Sequence, residues 1–162
     1  MNNNFFVITF SVTSDGTTGK EWIARLEANG FHISDSAKNI LRSESFKPTS
    51  GTYEVVILKE EFFSDDRMTT IKIREEAKNR KLSTPNPEIA CLIREKFSDD
   101  ELNDIGIFCV ITMHEPIKDS WGDYRLLDAY YGDDCSWLSA NYSDNVWDCS
   151  DGFAFVSQVS NS

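Results

Sequence analysis

Ile107-Phe-Cys-Val-Ile-Thr-Met113 is the stretch on which the fold turns. It is apolar almost throughout, rich in β-branched residues and closed by His114, as expected of a strand buried on both faces. Downstream, strands are predicted around Arg125–Tyr131, Trp137–Tyr142 and Phe153–Val159. Upstream, Phe5–Val12 reads as a buried strand, Thr52–Leu58 as a further strand, and the rest is mainly helix. Thr18 and Glu21 form a capping box ahead of Trp22, Ile23 and Leu26, with Gly30 as the stop. Ser34 or Asp35 caps a second, short helix. A third runs from Asp65 or Asp66 to about Lys81. Pro87 opens a fourth that ends near Phe97. Ser98 and Glu101 box a fifth, stopped by Gly106. Helices early and strands late predict an α+β domain spanning residues 1–162. Its mixed sheet has five to six strands, helices packed on it and an antiparallel C-terminal meander.

The chain has 162 residues, 40% hydrophobic and 12% aromatic, enough for a buried core despite a net charge of −11. No apolar run reaches bilayer length, and Met-Asn-Asn-Asn does not resemble a secretory leader. The expectation is a cytoplasmic protein without membrane contact. Cys91 and Cys109 lie in apolar runs and read as core thiols, whereas Cys135 and Cys149 fall in polar, loop-like surroundings and could pair if their geometry allows, with reduced thiols the default. The spacing matches no metal motif. Asp144–Gly152 lacks the alternating ligands and closing Glu of a calcium loop, so neither metal nor cofactor is assigned.

Four segments, Thr17–Glu27, Pro87–Phe97, Met113–Asp119 and Gly152–Val159, resemble a group of small uncharacterised prokaryotic proteins. The resemblance implies one domain of prokaryotic or phage origin, and no functional residue follows from it.

Charge is unevenly distributed. Residues 114–152 hold nine acids against two bases, while residues 66–96 hold five acids against eight bases. The basic stretch interleaves its cations with Glu75 and Glu76, as a solvated helix face does, and direct nucleic-acid binding is not expected. Gly16-Thr-Thr-Gly19-Lys20 lacks the spacing of a phosphate loop. Seven of the nine Trp and Tyr residues fall in the acidic segment. Rings beside carboxylates suit a cationic protein surface. The sequence therefore points to a non-enzymatic module that binds a basic protein, in one version an inhibitor mimicking nucleic acid. Its expected contact residues are Trp121, Asp123, Tyr124, Asp128, Tyr131, Asp133, Asp134, Trp147 and Asp148. Two alternatives use the same segment. One is a hydrolase-like enzyme in which His114 works with Glu115 or Asp119 at a strand end. The other is a carbohydrate-binding module using the exposed rings.

Overall fold

A computed structural model describes residues 7–59, 68–132, 135–147 and 151–157. Its centre is one mixed sheet. β1 (Val7–Asp15) pairs antiparallel with β3 (Ser50–Lys59), which pairs antiparallel with β11 (Asp151–Ser157). β11 runs parallel to β6 (Cys109–Thr112), and β8 (Tyr124–Gly132) and β9 (Cys135–Tyr142) follow antiparallel. β2 (His32–Ile33) lies parallel to β9; β5 (Leu82–Ser83) joins β11, and β7 (Ile117–Lys118) joins β8. A separate two-stranded sheet joins β4 (Met68–Thr69) to β10 (Val146–Trp147).

The α+β expectation holds, but among the described residues the main sheet has nine strands rather than five to six. The three extra strands, β2, β5 and β7, have two residues each, too few for an alternating pattern to show. The antiparallel run β6–β8–β9 is the expected meander, yet the last strand leaves it. β11 inserts between β3 and β6 because Phe153 to Val156 are buried on both faces and need cover on each. β1, expected to be buried, is an edge strand whose outward residues alternate with Val12 and Ser14 on the core side.

Among the described residues, five helices form from local signals. The capping boxes at Thr18–Glu21 and Ser98–Glu101 are both made, opening α1 (Gly19–Ala28) and α5 (Asp99–Asp104). Ser34 caps α2 (Asp35–Leu41), and Pro87 precedes α4 (Glu88–Lys96). α3 (Thr70–Asn79) begins later than its apolar pattern suggested: Met68 and Thr69 are in β4, and the Thr69 hydroxyl caps the helix. The expected starts, Asp65 and Asp66, lie outside the described residues.

Strand alternation divides the interior into two layers. Val55, Ile57, Val110, Leu127, Ala154 and Val156 pack under α1, α2, α4 and Leu102 of α5. Val56, Leu58, Ile111, Leu126, Phe153 and Phe155 face Ile73 and Ala77 of α3 and Trp147 of β10. One buried charge ties the first layer together. The Glu88 carboxylate has the Ser14 and Thr49 hydroxyls at 2.7 and 2.8 Å, the Thr49 amide at 3.2 Å and the Trp22 indole N–H at 3.1 Å. Gly19 serves packing. A Cβ there would lie 1.7 Å from the Leu41 carbonyl oxygen, so α1 and α2 approach each other only through glycine.

Candidate functional site

His114 follows β6 and is fully buried. Its Nδ1 donates to the Glu115 carbonyl at 2.7 Å, and its Nε2 accepts the Leu127 amide at 3.0 Å. Both nitrogens are thereby committed to backbone, with the proton on Nδ1. Burial pulls its pKa down to about 4 against the Glu115 carbonyl bond, and the Arg74 charge acts in the same direction as burial. Arg74 closes the turn by donating to the Met113 and His114 carbonyls at 2.9 and 2.8 Å. Glu115 is exposed, whereas the imidazole is buried. The ring is a strand-end clamp, with neither nitrogen left to activate a water.

Asp119 organises the β7–β8 turn. Its carboxylate accepts the Trp121 and Asp123 amides at 2.9 and 2.8 Å and Nε of Arg125 at 2.8 Å. Burial would raise its pKa, but these donors outweigh burial and leave the pKa below its ordinary value. Arg125 also lies 4.2 Å over the Tyr142 ring. The ring, carboxylate and guanidinium expected across an interface are thus already joined within the chain.

The predicted contact residues do not form one face. Trp121 and Tyr124 are 65% and 55% exposed, and Asp123 beside them is exposed too. Tyr131 is seven residues beyond Tyr124 on β8, roughly 23 Å away and, at that odd spacing, on the opposite face. Asp128 and Trp147 are corrections to the expectation. Asp128 is fully buried and Trp147 nearly so, because α3 and β10 cover the second face of the sheet. Asp128 accepts Asn141 Nδ2 at 2.7 Å. Burial raises its pKa to about 7, helped by the Asp151 charge and opposed by hydrogen bonds from Asn141 and Cys109. Trp147 donates to the Thr70 hydroxyl at 3.1 Å. Asp133, Asp134 and Asp148 lie outside the described residues, as does Cys149; Cys135 is half-buried. Among the described residues, no group of three or more His, Cys, Asp or Glu is placed to hold a metal, and no helix is long and apolar enough to cross a membrane.

A concave feature lies at the other end of the sheet. A groove of about 510 Å³ runs between α5 and the strand ends that carry Phe108, Tyr131 and Ser136. The register explains the convergence. Cys109 pairs with Tyr130 and Ser136 with Tyr131, which brings the start of β6, the end of β8 and the start of β9 together. Phe108 and Tyr131, 52% and 41% exposed, give the groove aromatic surface. Ser98, Asp99, Asp100 and Asn103 supply polar groups, and none of the described lining side chains is basic. Four of the six residues of α5 are acids, and none is basic.

Asp99 is fixed in place. The Ser136 hydroxyl donates to it, and buried Arg94 pairs with it at 3.0 Å. Arg94 also donates to the carbonyls of Phe97, Tyr130 and Trp137 at 2.9, 3.4 and 3.3 Å, joining α4 to β8 and β9 beneath the groove. Burial lowers the pKa of Arg94, and the Asp99 charge opposes that fall. Of the groove residues, the sequence singled out only Tyr131. The legible signal is α5, whose charged residues are all acids; the run Ile107–Met113 reads as buried throughout, and the 52% exposure of Phe108 corrects that expectation.

In comparisons with known proteins the chain matches no family model, no curated protein and no solved structure, so the reading of this site rests on its own geometry.

Proposed function

We propose that this protein is a non-enzymatic binding module and that the groove between α5 and the β8–β9 hairpin receives a basic region of a partner protein. The observation that carries this reading is the groove lining: the exposed rings of Phe108 and Tyr131 beside the exposed Asp100 carboxylate, with no basic side chain among the described lining residues. Such a site binds through apolar area on the rings and attracts its partner through charge. The closed hydrogen bonding of His114 supports a binding role over the hydrolase reading, since both ring nitrogens are held by backbone. At the β7–β8 turn, Arg125 and Lys118 sit among Asp119 and Asp123, so that end of the sheet offers a cationic partner less attraction than α5 does.

The test uses a nine-residue peptide of mixed Arg and Lys, titrated calorimetrically into the full chain from about 50 to about 500 mM salt, where screening shortens from over 10 Å to a few ångströms. Affinity falls steeply with salt, and Asp100→Asn with Asp104→Asn flattens that dependence. Binding that ignores salt, or that the double variant leaves unchanged, overturns the proposal.

A further inference from the structure

β1 is a sheet edge, and among the described residues no strand pairs with its outer side. The Gly16 amide donates to the Thr49 carbonyl at 2.9 Å, one step beyond the Asp15–Ser50 pair, and this sets the phase of the strand. Bonded and non-bonded pairs alternate along an antiparallel ladder, so the even-numbered residues of β1 direct their amides and carbonyls to β3. The Ala154 carbonyl, turned away from β3 to accept the Met113 amide at 3.0 Å, fits the same phase on the far side of β3. Val7, Thr9, Ser11, Thr13 and Asp15 therefore turn their backbone groups to the open side, and all five are exposed.

Long edges are normally blunted by charge, proline or a bulge. β1 has none of these between Val7 and Ser14: that stretch holds no charged residue and no proline in a chain that is 27% charged, and its register with β3 is unbroken. At the other end of the sheet β2 has only two residues. On the core side Ile8 and Phe10 are only half-buried, with Phe10 edge-on to Phe97 at 4.7 Å, so the apolar layer is incompletely covered at this edge. We infer that β1 pairs with β1 of a second copy of this chain, antiparallel about a twofold axis at Ser11, joining two sheets into one. The strand is self-complementary in that register. Thr9 faces Thr13 of the second copy and Ser11 faces Ser11, hydroxyl pairs that favour antiparallel strands. Phe10 faces Val12 in a non-hydrogen-bonded pair, where side chains lie closest. Charge also selects this strand. Two chains of net charge −11 repel, and a neutral strand lets them touch without opposing carboxylates. Asp15 is already paired with Arg25 at 3.2 Å. Glu54, beside Ser11 on β3, would stand three strand spacings, about 14 Å, from its copy, beyond the screening length of about 8 Å.

The test is sedimentation of the full chain at about 150 mM salt, followed from about 5 to about 500 μM, the range that a small interface calls for. The mass moves from one copy toward two as concentration rises. Amide hydrogen exchange on the same samples reads the alternation: the Thr9, Ser11 and Thr13 amides slow with concentration, whereas those of Phe10 and Val12, already bonded to β3, do not change. Ser11→Lys, at an exposed position and with melting temperature as the folding control, sets two ammonium groups opposite each other and keeps the chain single at the highest concentration. Ser45→Lys, exposed between α2 and β3, adds the same charge and keeps the association, because a less negative chain repels its copy less. A chain that stays single throughout the range overturns the proposal. So does association that Ser11→Lys leaves intact, that Ser45→Lys abolishes equally, or that leaves the Thr9, Ser11 and Thr13 amides exchanging freely.

Discussion

Replacing Asp128 with asparagine uncovers a proton balance hidden in the wild-type protein. Burial raises the Asp128 pKa from 3.8 to about 7. Stability from this group is therefore complete below pH 3.8 and is lost as pH rises toward 7. His114 works in the opposite sense. Its pKa falls from 6.5 to about 4, so its contribution is complete above pH 6.5 and is lost as pH falls toward 4. Each pH unit within its window is worth about 1.4 kcal/mol, giving a total of about 4 kcal/mol for Asp128 and about 3 kcal/mol for His114. Between pH 5 and 6.5 both windows are open and the slopes oppose, so wild-type stability is nearly flat there. Asp128→Asn removes one slope, and stability then rises by about 2 kcal/mol across that interval. Urea unfolding at fixed ionic strength reads this as a midpoint shift of about 1 M. Any loss of the Asn141 hydrogen bond offsets the whole curve and leaves the slope intact. An Asp128→Asn profile parallel to wild type would refute the reasoning.

Glu88→Ala removes the acceptor shared by Ser14, Thr49 and Trp22 and lowers unfolding free energy by about 1–3 kcal/mol for each buried donor left unmet, measured by chemical denaturation. Gly19→Ala forces α1 away from the Leu41 carbonyl and lowers the melting temperature sharply, whereas Ala at exposed Gly16, φ +82°, gives only the smaller loss expected of backbone strain. Trp121→Ala and Tyr124→Ala leave calorimetric affinity for the basic peptide unchanged, because these rings lie at the far end of the sheet from the groove.

The local parts of this fold are legible in the sequence because their causes are local. Thr18 with Glu21 and Ser98 with Glu101 satisfy amides three residues away, so the spelling alone identifies the helix starts. The place of β11 is not local. Its apolar run shows that it is buried, but only the competition among strands for cover places it between β3 and β6. Asp128 illustrates the same limit. Within Leu126-Leu-Asp-Ala129 a carboxylate reads as the solvent-facing member of an alternating strand, and the layer made by α3 and Trp147 on that face comes from distant segments. In segment 114–152 Trp121, Tyr124, Tyr131 and Tyr142 are exposed while Trp147 is buried, and Trp121 and Tyr124 are separated from Tyr131 by the length and pleat of β8. The groove itself needs α5, the start of β6 and the β8–β9 hairpin to meet, and no single stretch of the chain records that meeting.

Amide chemical-shift mapping on the isotopically labelled full chain shows directly where a basic segment lands. With the mixed Arg/Lys nine-residue peptide at low salt, the largest shifts fall on residues 98–103, 107, 108, 131 and 136, and they shrink in the Asp100→Asn, Asp104→Asn double variant. Shifts centred on residues 119–125, or spread evenly over the surface, would contradict the account.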